Sequence, residues 1–437
     1  MSTSALSAQL LENEARALLR RLEMISPFAL QTPMVLAAGA PRAVGAIEDY
    51  LRKGRRILHK MVHHFIRWLQ VRSEADFSPA VAQRRFTILR LRFNAVLTQF
   101  DIYADALGQR SEHENGVWLA GLDVLAADAL TLPGGYYEPP SVLCYLDRGA
   151  GAAIRRARTR LPGGGDNPVA IIRVPRERMV GSGIASSLVH EVGHQAAALL
   201  GLVRSLRPLL QSLQKGAESE RLAWRLFERW ISEILADFWS VARIGIGSTL
   251  GLMGVVSLPR AFVFRLSLDD PHPMPWLRVK LSCAMGKALY PHPQWDNLAG
   301  IWEAYYPQQG LRDEVKRVLE MVKRTMPSFV DLLLQHRPKA LRGNSLVDVL
   351  GVPARMPVKL RGHWRDWKVT PAAMWQAPPT LAFGVINQAK ADGHLQPEEE
   401  GTMISNLLKS WALRRATDTR ELCGTRRRTL DPAVVSS

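Results

Sequence analysis

The sequence predicts an α+β protein, mostly helical, in which a small sheet sits between helical N- and C-terminal regions. Three observations carry this reading. Apolar residues recur at helical spacing through residues 4–130 and again beyond Tyr306. The texture changes at Pro133-Gly134-Gly135, where prolines and glycines bracket short apolar runs. Hydrophobic residues make up 47% of 437, enough to fill two or three packed units.

In chain order, Leu10, Leu11, Ala15, Leu18, Leu19 and Leu22 form the apolar stripe of a first helix. After Pro27, Pro33 and Pro41, two longer helices are expected over residues 43–72 and 79–107, joined by residues 73–78 as an antiparallel pair. A further helix covers residues 115–130. Pro139, Pro140 and the glycine-rich residues 162–168 mark loops around short strands. Val169-Ala170-Ile171-Ile172-Arg173-Val174 is the clearest strand, β-branched and bounded by prolines. It fits either an edge strand bordering a cleft, able to pair with an extended peptide, or an ordinary core strand.

Helices resume over residues 183–201 and 219–242. The uncharged residues 244–258 are too few to span a bilayer and suit a buried segment. Residues 314–324 and 327–336 are helical candidates. The Pro- and Trp-rich residues 352–379 separate them from a last pair of helices, the second opening at Pro397 with Glu398, Glu399 and Glu400 at its positive end. A half-match to a calcium loop at Asp392-Gly393 fails because Lys390 stands where a carboxylate is needed. A frayed tail is expected over residues 426–437. These elements divide the chain into a helical region 1–130, a central unit 131–310 and a helical region 311–437.

The net charge of +17 favours an acidic partner or an anionic surface. Arg52, Lys53, Arg55, Arg56, Lys60, Arg67 and Arg72 make the helix over residues 52–72 its strongest candidate, with His59, His63 and His64 beside them. Ile57, Leu58, Met61, Val62, Phe65, Ile66 and Leu69 are interleaved. This pattern fits a solvated face over a bundle core, or contact with an acidic partner or anionic lipid. Nucleic acid is not the expected partner. Cys144, Cys283 and Cys423 form no CxxC pair and read as reduced thiols. With no apolar secretion signal at the start and no segment long enough to span a bilayer, a soluble cytoplasmic protein is expected.

The chemistry concentrates at His190-Glu191-Val192-Gly193-His194. Four residues on a helix put both imidazoles on one face, one turn apart, where they can grip one tetrahedral cation. Glu191 then stands beside the open position. The surrounding residues, among them Ile184, Leu188, Val189, Val192 and Ala196, are apolar, so an unsatisfied polar cluster there would be costly. Glu233 and Asp237 are again four apart on an apolar helix, and two carboxylates so placed repel unless a cation or imidazole neutralises them. Glu233 as third ligand and Asp237 as acceptor for a ligating imidazole resolve both costs together. One Zn²⁺ per chain and hydrolysis of an amide bond are the expectation.

These residues resemble the gluzincin metallopeptidases, and among them the CaaX prenyl endopeptidase and HtpX heat-shock-protease group. That group combines HExxH, a later ExxAD and an HP dipeptide followed by Arg. Here these are His190 to His194, Glu233-Ile234-Leu235-Ala236-Asp237, and Asp270-Pro271-His272-Pro273-Met274-Pro275-Trp276-Leu277-Arg278, over roughly residues 169–281. The resemblance implies a zincin-like catalytic unit acting on polypeptide substrates. His190, His194 and Glu233 would bind zinc, Glu191 would be the general base, and Asp237 would orient a ligand. It further implies that His272 steadies the oxyanion and that Arg278 makes a salt bridge near the site. Many relatives carry membrane helices; none is expected here, so a prenylated or membrane-embedded substrate is not expected. Two rival functions are an adaptor that keeps zinc structurally and a nucleic-acid-associated protein led by the basic helix.

Overall fold

The computed structural model describes residues 2–24, 37–71, 77–149, 151–161, 164–176, 181, 183–216 and 218–428. It is mostly helical with one three-stranded sheet, as the sequence predicts. Three helices come first: α1 (Thr3–Met24), α2 (Pro41–Gln70) and α3 (Pro79–Gly108). Their facing stripes, with Leu11, Leu18 and Leu22 meeting Leu58, Val62, Phe86 and Phe93, bury a bundle core. Leu10, at the margin of the expected stripe, is instead 63% exposed. The loop over residues 73–78 lies mostly outside the described residues, as do Pro27 and Pro33.

Next come α4 (His113–Leu130), the strands β1 (Val142–Asp147), β2 (Ala153–Arg155) and β3 (Ala170–Pro175), and the helices α5 (Gly183–Leu199), α6 (Leu202–Leu213) and α7 (Arg221–Ile244). The sheet order is β1-β3-β2: β1 runs parallel to β3 with Cys144 opposite Ile172, and β2 runs antiparallel with Ile154 opposite Ile172. Of the two readings of residues 169–174, the core strand is the one found, since β3 is the central strand. Its apolar run has a physical reason. Ile172 and Val174 face the larger core under α5, while Val169 and Ile171 face the three-helix bundle, so both faces are buried. The strand bordering the cleft is β2, too short to register as a strand pattern.

The chain continues through α8 (Ile246–Val256), α9 (Arg260–Val263), α10 (Pro275–Leu289), α11 (Gln294–Tyr305) and α12 (Asp313–Gln335). Then follow α13 (Leu346–Val349), α14 (Pro357–Val369), α15 (Pro371–Gln376), α16 (Pro379–Ala391) and α17 (Pro397–Arg428). Two expectations need correction. The two helices expected over residues 314–324 and 327–336 are one, Asp313–Gln335, because Val315, Leu319, Val322, Met326, Phe329 and Leu333 hold one buried face through Pro327. The missing N–H of that proline costs one helical hydrogen bond, which this packing outweighs. Residues 352–379 are largely helical, since Pro357, Pro371 and Pro379 each open a helix at its first turn, where no N–H is needed. Of the expected tail, residues 426–428 continue α17 and residues 429–437 lie outside the described residues.

Packing joins distant segments. Arg110 and Asp123, 1% and 3% exposed, form a buried bidentate pair that also bonds the Cys144 backbone through both members, and Arg415 of α17 donates to Asp123 as well. Phe329 of α12 stacks on Phe227 of α7 at 4.0 Å. Gly193 and Ala236 bring α5 and α7 close: a Cβ at Gly193 would stand 2.8 Å from the Ala236 Cα. Among the described residues, no helix is long and apolar enough to cross a membrane.

Candidate metal centre

Close packing of α5 on α7 places His190 and His194 opposite Glu233 and Asp237. Each pair projects one turn apart from its own helix, so both faces meet at one cleft of about 540 Å³. The His190 Nε2 lies 3.4 Å from one Glu233 oxygen, and the His194 Nε2 lies 3.4 Å from the other. The two rings are nearly perpendicular, with centroids 4.8 Å apart. Among the described residues, these three form the one group of His, Cys, Asp or Glu with donor atoms converging within 4.8 Å. A tetrahedral zinc with ligands at about 2.0–2.1 Å spaces its donors about 3.4 Å apart, the spacing of each imidazole from its nearer Glu233 oxygen, and two imidazoles with one carboxylate are a donor set that suits it.

The partners behind these residues are also in place. His190 Nδ1 stands 2.8 Å from Asp237 Oδ1, and Ser232 Oγ lies 3.3 Å from His194 Nδ1. Arg278, in the first turn of α10, donates to both Asp237 oxygens at 2.7 and 2.9 Å and to Glu233 at 3.3 Å. Pro275 opens α10 at a position where its missing N–H costs no helical hydrogen bond. With neutral imidazoles, Glu191, Glu233 and Asp237 carry three negative charges and Arg278 one positive. The remainder of two negative charges equals the charge of one divalent cation.

The electrostatics follow from this crowding. Burial works against a charged His190 ring, but the Asp237 charge and the hydrogen bonds to Asp237 and Glu233 outweigh it, pushing its pKa up to about 9. His194 goes the other way, to about 4, through burial and the neighbouring His190 charge. Glu233 resists its burial through His190 and Arg278 and falls to about 2. Asp237, despite burial, is held well below the usual carboxylate range by Arg278 and His190. Glu191 is buried at the cleft wall, and desolvation raises its pKa above the ordinary glutamate value.

His272 stands at the rim, 56% exposed, with Nε2 3.8 Å from a Glu233 oxygen. Asp270 holds it there: one carboxylate oxygen accepts from the His272 backbone N–H and lies 2.9 Å from Nδ1. This is an Asx-turn, and Pro271 and Pro273 stiffen it on both sides. The structure thus brings together His190, Glu191, His194, Glu233, Asp237 and Arg278, with His272 at the edge.

Two positioning residues, Ser232 and Asp270, are not among those to which the sequence assigns a role. Ser232 is an ordinary helix serine until α5 packs against it. Asp270 could have been read from the Asp-Pro-His spacing, which is that of an Asx-turn. Beside the cleft, β2 and the residues preceding it form one wall, and the Ala157 N–H that follows donates to Gln195 Oε1 of α5 at 2.8 Å. Comparison of the chain with protein-family models, curated proteins and solved structures finds no match.

Proposed function

We propose that the protein is a zinc-dependent metalloendopeptidase of gluzincin type, with a zincin-like core built on α5, α7 and the small sheet. The observation that carries this reading is the convergence of His190, His194 and Glu233 on one point, with Glu191 buried beside it. A structural metal site has no use for that fourth group. Bound there, zinc supplies a Lewis acid that polarises a carbonyl and acidifies water.

The chain's own residues do the rest. Glu191, its pKa raised by burial, accepts the proton of the attacking water and passes it to the departing amine. In its imidazolium form, with Nδ1–H donating to Asp270, His272 donates from Nε2 to the oxygen on which negative charge develops. Asp237 and Arg278 hold His190 and Glu233 in their rotamers. Among the described residues β2 pairs with β3 alone, and its outer edge would take an extended polypeptide as an added strand beside the cleft.

The test is metal analysis of the wild type beside His190→Ala and Glu191→Gln, with a peptide-library digest. The expected result is one zinc in wild type and in Glu191→Gln, little in His190→Ala, and cleavage by wild type alone. A wild type that holds zinc and cleaves nothing would favour the adaptor reading instead.

A further inference from the structure

Away from the metal centre, α2 and α3 present a second surface that the peptidase reading does not use. Steps of three and four residues place Ile57, Lys60, His64 and Trp68 on one strip of α2. The same spacing places Val81, Arg85, Ile88 and Arg92 on one strip of α3. Apart from Trp68, which packs partly against the bundle, these residues are exposed, while Leu58, Val62, Phe86 and Phe93 fill the core. Between the helices runs a groove of about 730 Å³, floored by Phe65, Trp68 and Leu89. The Arg85 guanidinium lies over the Trp68 ring at 4.4 Å.

Two features of this face are unusual together. Large aliphatic side chains stand outward: Ile57 is 44% exposed, Ile88 60% and Leu91 64%. The charge beside them has one sign. Residues 52–70 contain six Lys or Arg, and residues 79–99 contain four, while neither stretch contains an Asp or Glu. The short connection between them, outside the described residues, carries Glu74 and Asp76.

We infer that this α2–α3 face docks onto an anionic phospholipid surface. A bilayer interface takes both features at once: aliphatic side chains enter the headgroup–acyl boundary, and Lys and Arg meet lipid phosphates. A nucleic-acid duplex would use the cations and leave Ile57, Ile88 and Leu91 without a partner. The long stems of Lys60, Arg85 and Arg92 let the charges reach outward while the apolar side chains between them descend. Docking by this face is independent of what the metal centre does.

The test uses the full chain and sedimentation with vesicles of phosphatidylcholine alone or mixed with phosphatidylglycerol. Two triple variants separate the contributions. Lys60→Glu/Arg85→Glu/Arg92→Glu reverses charge, and Ile57→Gln/Ile88→Gln/Leu91→Gln removes apolar surface at constant charge. All six positions point away from the core, and circular dichroism with metal content verifies that each variant folds. The expected result is partition onto the mixed vesicles only. Charge reversal should abolish it, at roughly fivefold for each cation lost. The glutamine variant should bind on the order of tenfold more weakly. Wild type that ignores anionic vesicles, or a glutamine variant that binds as well as wild type, overturns the inference. Displacement from vesicles by duplex DNA equally in wild type and the glutamine variant would assign the face to nucleic acid.

Discussion

Asp237 Oδ1 lies 2.8 Å from His190 Nδ1, and the same carboxylate is held from behind by Arg278 at 2.7 and 2.9 Å. This fixes which ring nitrogen of His190 remains for a metal, because the proton stays on Nδ1 and Nε2 points at Glu233. Asp237→Asn keeps the shape and removes the charge that holds the tautomer. Zinc affinity is expected to fall about 10- to 100-fold, read by competition against a chromophoric chelator. Unchanged affinity would mean that the imidazole is positioned by packing alone.

The raised pKa of His190 makes metal binding a proton-releasing event. Without metal the ring is protonated up to about 9, whereas a ligand must be neutral. His194, shifted to about 4, and Glu233, shifted to about 2, already have their ligand protonation states at neutral pH. Zinc should therefore displace close to one proton per chain near pH 7, falling to about half a proton at about 9, with affinity rising up to that limit and levelling above it. Titration calorimetry in buffers of different ionisation enthalpy reads this directly. No dependence on buffer would refute it.

Stability of the metal-free protein should carry the opposite signatures of the two histidines. His190 is raised from 6.5, so its contribution is complete below 6.5 and lost as pH rises through about 9. His194 is lowered from 6.5, so its contribution is held above 6.5 and lost as pH falls through about 4. Urea melts in the presence of chelator should show both declines. His194→Ala should remove the acid-side decline between those two values while leaving the alkaline one.

Gly193 supplies the close approach on which the convergence depends. A Cβ there would meet Ala236 Cα at 2.8 Å, the Ala236 carbonyl oxygen at 2.9 Å and Trp239 Cβ at 3.0 Å, all on rigid parts of α7. Gly193→Ala should cost about 1–3 kcal/mol of stability through overpacking. It should also pry His194 from Glu233, lowering zinc affinity at temperatures where the protein is still folded. Thermal melts and chelator competition on one sample separate the two effects.

Most of this centre was legible because its determinants are local. Spacing of four on a helix sets the direction of His190 and His194, and again of Glu233 and Asp237, whatever the helices pack against. What was not legible depends on distant chain. Whether β3 is an edge or a centre is decided by β1 and β2 pairing along its two sides, which residues 169–174 do not encode; their unbroken apolar character reports only that both faces are covered. Helix α12 runs through Pro327 because its partners α7 and α10 reward a continuous face, a tertiary gain that outweighs a local rule. Ser232 acquires its place beside His194 only when two helices 38 residues apart meet.

His272 offers the sharpest division between holding a metal and using it. It lies 3.8 Å from Glu233 but is more than half exposed, so its removal leaves the ligand set intact. His272→Ala should therefore retain full zinc and lose about a hundredfold in kcat, with KM little changed, if the ring donates to the developing oxyanion. Asp270→Asn should give a smaller loss of the same kind, because it loosens the Asx-turn that aims Nε2 inward without deleting the donor. The two effects are coupled through one ring, so the double variant should be no slower than His272→Ala alone. Additive losses would mean that Asp270 acts independently of the His272 ring, and would overturn its role as the group that aims Nε2.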